Sequence, residues 1–209
     1  MCLFRRRNYL NIMKGILSSI ISSRKRNSYL YQEDFEGTGA PSGWTFDGTG
    51  TCNYDFVGGG FGQCVFCAST TNSSVGGAQK SLAGLGITAT HGFYCRVYFG
   101  STGSINRNTW ITDQLWFTFT ATAPTQRWRN EALAGGVAGA TWYHLWLDAT
   151  PTLLELRLST SGTKPGSPND TRSGSFSAPS KLAIGTNHST GIRVDRIRIA
   201  SGPIGSNPA

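Results

Sequence analysis

Charge is scarce in this chain: only 14% of its 209 residues are Asp, Glu, Lys or Arg. Acids are missing altogether from the first 26 residues, while Arg5, Arg6, Arg7, Lys14, Arg24, Lys25 and Arg26 all fall there. Those seven account for most of the net charge of +8, leaving twelve basic against eleven acidic residues in the remainder. The body is therefore nearly neutral, which argues against a domain built to bind nucleic acid. Long apolar runs are absent too. The stretch Ile16–Ser23 is half serine, too short and too polar to span a bilayer. Arg24-Lys25-Arg26 sits where a signal peptide would carry small residues before its cleavage site.

Cysteine is sparse and odd in number: Cys2, Cys52, Cys64, Cys67 and Cys95. That count does not describe a disulfide scaffold. Cys64-Val65-Phe66-Cys67 has CxxC spacing, but no second pair or histidine couple follows to complete a zinc site. Structural thiols, one disulfide or a metal ligand pair remain the three readings of these residues. No Glu-x-Asp-x-x-Glu run occurs, and a loop dense in Asp and Asn is lacking. Calcium is a possible cofactor only through Asp47, Asn169 and Asp170.

What is present is glycine, threonine, serine and aromatic residues, the composition of strands joined by tight turns. Residues 1–28 form a basic leader. It reads as a disordered tail, a docking peptide for a protein assembly partner, or a short amphipathic helix at a membrane surface. Residues 29–201 read as one all-β domain, and 202–209 as an irregular tail. Strands are expected at Tyr29–Glu36, Cys52–Val57, Gln63–Ser69, Ala78–Leu82, Gly92–Phe99, Trp110–Ala121, Arg127–Leu133, Lys181–Gly185 and Gly191–Ala200. The strongest signal is Thr141–Ser159, two arms turned back at Ala149–Thr152. Period-two alternation gives the first arm an apolar face of Tyr143, Leu145 and Leu147. Its other face carries Trp142, His144, Trp146 and Asp148. The second arm sets Leu154, Leu156 and Leu158 against Glu155, Arg157 and Ser159.

The order of four segments resembles the laminin-G-like, concanavalin A-like lectin and glucanase superfamily. They are Asp34-Phe35-Glu36, Gly92–Phe99, Thr141–Leu147 and Gly191–Ile199. The resemblance implies a two-sheet antiparallel jelly-roll sandwich with its first and last strands adjacent. It does not fix the chemistry, since this fold carries lectins, adhesion modules, glycosidases and lyases. Arg129-Asn130-Glu131 is faintly similar to a strand of alginate-type lyases, without that group's other motifs.

Extending the alternation to neighbouring strands, and supposing they share a sheet, collects one candidate ligand face: Tyr94, Arg96, Tyr98, Gln114, Trp116, Trp142, His144 and Trp146. Rings among hydrogen-bonding groups suit a glycan, whose sugars offer both C–H faces and hydroxyls. The same rings also suit a second core layer under covering loops, or a protein interface, and Trp142 in particular is expected to serve the core. The functional expectation is a non-catalytic module that binds a glycan or surface polymer at a virion or extracellular surface. The alternatives are a structural or decoration protein without a small ligand, and a polysaccharide lyase or glycoside hydrolase. His144 would be the base of such an enzyme.

Overall fold

The computed structural model describes residues 29–36, 41–46, 51–56, 63–68, 77–100, 107–119, 126–129, 131–187, 189, 191–206 and 208. The basic leader of residues 1–28 and the calcium candidate Asp47 lie outside them. In chain order the strands are β1 (Tyr31–Glu33), β2 (Trp44–Phe46), β3 (Thr51–Phe56), β4 (Gln63–Ala68) and β5 (Ala78–Ser81). Then come β6 (His91–Phe99), β7 (Arg107–Thr112), β8 (Trp116–Phe119), β9 (Gln126–Trp128) and β10 (Glu131–Ala132). The set closes with β11 (Thr141–Ala149), β12 (Leu153–Ser159), β13 (Asp170–Ser173), β14 (Lys181–Thr186) and β15 (Ile192–Ala200). Every pairing is antiparallel, and no helix occurs among the described residues.

The strands form two sheets, ordered β13-β12-β11-β6-β15-β4-β3 and β10-β9-β8-β7-β14-β5-β2, with β1 also paired to β15 in the first. This is a jelly-roll sandwich. The first and last strands are neighbours, with Tyr31 opposite Ile199. The apolar sets expected from alternation do meet between the sheets: Phe93, Cys95, Val97 and Phe99 pack with Leu145, Leu147, Leu154, Leu156 and Leu158. Against them stand Ile111, Leu115, Phe117, Phe119 and Trp128 from the second sheet. Burying apolar surface on both inner faces is what holds two such sheets together.

The expected single strand over Trp110–Ala121 is instead two, β7 and β8, turned back on each other with Trp110 opposite Trp116. Thr112 makes the turn: its Oγ1 accepts hydrogen bonds from the backbone N–H groups of Gln114 (3.0 Å) and Leu115 (2.9 Å). Such a hydroxyl can reverse a chain without glycine or proline. The expected Arg127–Leu133 strand divides likewise into β9 and β10, with Arg129 at the turn at φ 52°.

The cysteine readings also resolve. Cys64 and Cys67 share β4 three residues apart, so their side chains leave opposite faces and cannot hold one ion together. Among the described residues Cys52, Cys64, Cys67 and Cys95 are free thiols. Cys52 stands directly across from Cys67. Burial, with a hydrogen bond to Cys52, pushes the Cys67 thiol up. At the calcium candidates, Asn169 Oδ1 accepts a hydrogen bond from Leu158 N (2.7 Å) and Arg172 clasps the Asp170 carboxylate. No helix among the described residues is long and apolar enough to cross a membrane.

Candidate functional site: the outer face of the first sheet

Register decides which predicted residues meet. Across β15, β6 and β11, one row reads Arg193, Tyr98, Trp142; the next reads Asp195, Arg96, His144; a third reads Arg198, Tyr94, Trp146. Phe66 of β4 extends the first row beyond Arg193. All point away from the core. Gln114 and Trp116 do not join them, contrary to expectation. They belong to the turn and strand of the other sheet, on the far side of the sandwich. There the Gln114 side-chain amide donates to the Ser177 carbonyl, and Trp116 is half-buried.

The face has a closed half and an open half. Residues 201–206 run across the closed half as a strap. Ile204 is buried against Tyr94 and Trp146, and Trp146 Nε1 donates to the Gly205 carbonyl at 3.1 Å. Tyr94 and Trp146 retain 1% and 0% exposure. These two rings thus form the second core layer and not an open platform. Lys164 secures the strap. Its Nζ donates to Asp148 Oδ2 at 2.7 Å and to the Ile204 carbonyl at 2.8 Å. Arg157 Nη1 reaches the same Asp148 oxygen at 2.8 Å, completing a neutral network with Glu155.

The open half carries Tyr98, Trp142, His144 and Arg193, all half-buried. Trp142 therefore serves this face and not the core. Its ring lies 5.6 Å from Tyr98, tilted by 51°. Arginines fill the gaps between rings. Arg193 stands over Phe66 at 4.7 Å and over Tyr98 at 5.1 Å, and Arg96 over Trp142 at 5.2 Å. Each contact places a guanidinium on the negative face of a ring, which holds both groups in a fixed pose.

Beneath the rings lies a buried polar pair. Arg96 Nη1 and Asp195 Oδ2 are 3.6 Å apart, with side chains only 3% and 1% exposed. That distance is an ion pair without a hydrogen bond, and Asp195 Oδ2 has no hydrogen-bond partner among the described residues. Burial pushes the Asp195 carboxyl up to about 7, against the opposing pull of the Arg196 N–H, Arg96 and Arg196. Tyr94 Oη and His144 Nδ1 are hydrogen-bonded at 2.8 Å. Burial, then the charges of Arg96 and Arg196, lower the basicity of His144 and favour its neutral form.

Asp195, Arg193 and Arg196 are the participants that alternation on its own did not single out. A signal for them exists in Ile192–Ile199. The inward residues are Ile192 and Val194, then Ile197 and Ile199, so the apolar phase slips by one within the strand. The slip is a β-bulge: Asp195 faces Arg96, and the next paired residue is Arg198, opposite Tyr94. Arg196 is the extra residue, exposed and at φ 50°.

Two other places lack this combination. A polar recess of about 330 Å³ at the edge of the second sheet is lined by Thr45, Gln79, Lys80 and Lys181. It carries no aromatic ring, and Lys80 Nζ is engaged by the Ser42 carbonyl at 2.8 Å. Arg129 and Glu131, the lyase-like pair, sit at β9–β10 of the second sheet, away from the face described above.

No family model and no curated protein sequence matches this chain. Among solved structures it is similar to a β-1,3-glucanase from Mycobacterium marinum, at 11% identity and a TM-score of 0.47, over 84% of this chain and all of that one. It is similar also to the CBM2 module of the evolved Dit of Lactobacillus casei BL23 phage J-1, at 12% identity and TM-score 0.46, over 82% and 94% of the two chains. The CBM22-1 xylan-binding domain of Paenibacillus barcinonensis Xyn10C gives 12% identity and TM-score 0.43, over 86% and 97%. The fold assignment rests on the strand order and not on these likenesses.

Proposed function

We propose that the open half of this face binds a carbohydrate polymer without cleaving it. The observation that carries the reading is the Tyr98–Trp142 pair. Two half-buried rings 5.6 Å apart on adjacent strands are braced by arginines and bordered by His144 and Ser159. A sugar ring presents C–H groups to an aromatic plane and hydroxyls to the side chains around it, and both needs are met within one strip. Fixing the rings beforehand lowers the ordering cost of binding. Cleavage by retaining hydrolysis would need two carboxylates about 5–5.5 Å apart. The carboxylate in the middle of this face, Asp195, is closed off from solvent.

The test is affinity electrophoresis of the full chain through gels containing single polysaccharides, with reducing-sugar release measured alongside. At least one polymer is expected to retard the protein without product release. Trp142→Ala and Tyr98→Ala are expected to weaken that retardation at least tenfold with unchanged circular dichroism. Retardation by no polymer, or retardation indifferent to both substitutions, would sink the binding reading. Product release abolished by His144→Ala would replace it with catalysis.

A further inference from the structure

Cys52 and Cys67 occupy one register position on neighbouring strands, Cys52 in β3 and Cys67 in β4. Residues directly opposite in an antiparallel pair have Cα atoms about 4.5–5.5 Å apart, inside the roughly 4.4–6.8 Å that a disulfide spans. The two side chains also leave the sheet on the same side. Cys67 is a buried member of the core between the sheets, and the half-buried Cys52 packs against that core. A hydrogen bond joins the two thiols.

The other described cysteines lack this arrangement. Cys64 precedes Cys67 by three residues in β4 and leaves the opposite face. Cys95 faces the core from β6, with β15 standing between it and β4. Two strand spacings, about 9–10 Å, put it beyond the reach of a disulfide to Cys67. Access differs within the facing pair. Cys52 is half-buried on β3, the strand that ends the sheet, whereas Cys67 is 0% exposed. Burial also keeps the Cys67 thiol protonated. An oxidant arriving from solvent therefore meets Cys52 first, and Cys67 is placed to resolve what forms there.

We propose that Cys52 and Cys67 form a redox-closed staple, which a small-molecule disulfide oxidises to a cross-strand disulfide fastening the edge strand β3 to β4. The Cys52 thiolate attacks one sulfur of the oxidant, forming a mixed disulfide and releasing one small thiolate. Cys67 then gives up its proton, and its sulfur attacks Cys52 Sγ, releasing the second small thiolate. The two released thiolates take up the two protons that Cys52 and Cys67 lose. Two protein thiols are thus oxidised, and one small disulfide is reduced to two thiols. The link closes residues 53–66 into a loop, which restricts the unfolded chain more than the folded one. It also holds in place a strand whose only partner in the sheet is β4.

The experiment incubates the full chain with oxidised glutathione or with dithiothreitol, alkylates it in denaturant and maps its peptides. Expected is a Cys52–Cys67 cross-link after oxidised glutathione and none after dithiothreitol. The Tm of the oxidised protein should be higher than that of the reduced protein by roughly 6–12 °C. Cys52→Ser, at a half-buried position, is expected to keep the reduced-state Tm within about 2 °C and to gain nothing from the oxidant. The mapping on the unsubstituted chain stands whatever the variant does. No cross-link, a cross-link to Cys2, Cys64 or Cys95 instead, or oxidation that stops at a glutathione adduct on Cys52 would overturn the pairing. A Cys52–Cys67 link without a rise in Tm, or an equal rise in Cys52→Ser, would overturn the staple.

Discussion

Asp195 is a carboxyl group enclosed within a sheet face, facing one guanidinium at ion-pair distance and lacking, among the described residues, a hydrogen bond on one oxygen. Its pKa rises from 3.8 to about 7 because burial penalises the charged form more than Arg96 and the Arg196 N–H favour it. Between those two values the folded chain binds more protons at this site than the unfolded chain does. Stability then falls as pH rises through that window, and the contribution is fully present below about 4. The size is on the order of 4 kcal/mol. His91 and His144 act in the opposite sense. Burial lowers both from 6.5, so their protonation in acid costs stability. The comparison that isolates Asp195 is therefore wild type against Asp195→Asn. Urea midpoints should show the wild type losing stability from pH 5 to pH 8 relative to the variant. Parallel profiles would show that Asp195 titrates normally.

Among the elements, the strap of residues 201–206 is the one with the least intrinsic reason to be ordered. Ser201-Gly202-Pro203-Ile204-Gly205-Ser206 holds one apolar residue and no periodicity, so nothing in it announces a packing face. It is placed by its partners. Gly92 leaves room for it: a Cβ there would come within 2.3 Å of the Gly202 carbonyl oxygen. Lys164 ties its far end to Asp148. Gly92→Ala and Lys164→Met are each expected to loosen the strap and cost about 1–3 kcal/mol, through overpacking and through lost charge-assisted bonds. Hydrogen exchange in residues 201–206 should accelerate, and acrylamide should quench tryptophan fluorescence more strongly as Trp146 is uncovered. Unchanged exchange in both variants would show that the strap is held by other contacts.

The same scale explains what could be read in the sequence. Alternation placed the inward residues of β6, β11 and β12 correctly because a buried face leaves a period-two trace. It joined β7 and β8 into one strand because the four-residue turn preserves parity: Ile111, Leu115, Phe117 and Phe119 are all odd-numbered and all buried. Parity cannot report that the chain has reversed. Gln114 and Trp116 fall on the wrong sheet through a separate supposition, that this segment pairs within the sheet of β11; β7 and β8 both belong to the other sheet. The Arg196 bulge was written in the phase slip between Val194 and Ile197, whereas the strap was written nowhere local. Half of the expected aromatic face is thus core for a reason visible only in three dimensions.

For the whole molecule, the decisive question is which aromatic residues hold the two sheets together and which are spare for recognition. Phe99 of the first sheet meets Phe117 and Phe119 of the second in edge contacts, with centroids at 5.4 and 5.5 Å. It also lies 6.2 Å from Tyr143. Removing that ring leaves a cavity between the layers that neither twisted sheet can collapse to fill, and the expected cost is about 3–5 kcal/mol. Trp142, the larger side chain, rests on Tyr98 and Arg96 at the outer surface, where solvent can occupy the space it leaves. Its truncation is expected to cost under about 1.5 kcal/mol, the worth of an aromatic pair and little more. Denaturant midpoints of Phe99→Ala and Trp142→Ala measure the contrast directly. A sandwich whose outer rings exist for binding requires the two costs to differ by at least twofold. Equal costs would mean that Trp142 is part of what keeps the fold together, and the case for a binding strip at Tyr98 and Trp142 would lose its structural footing.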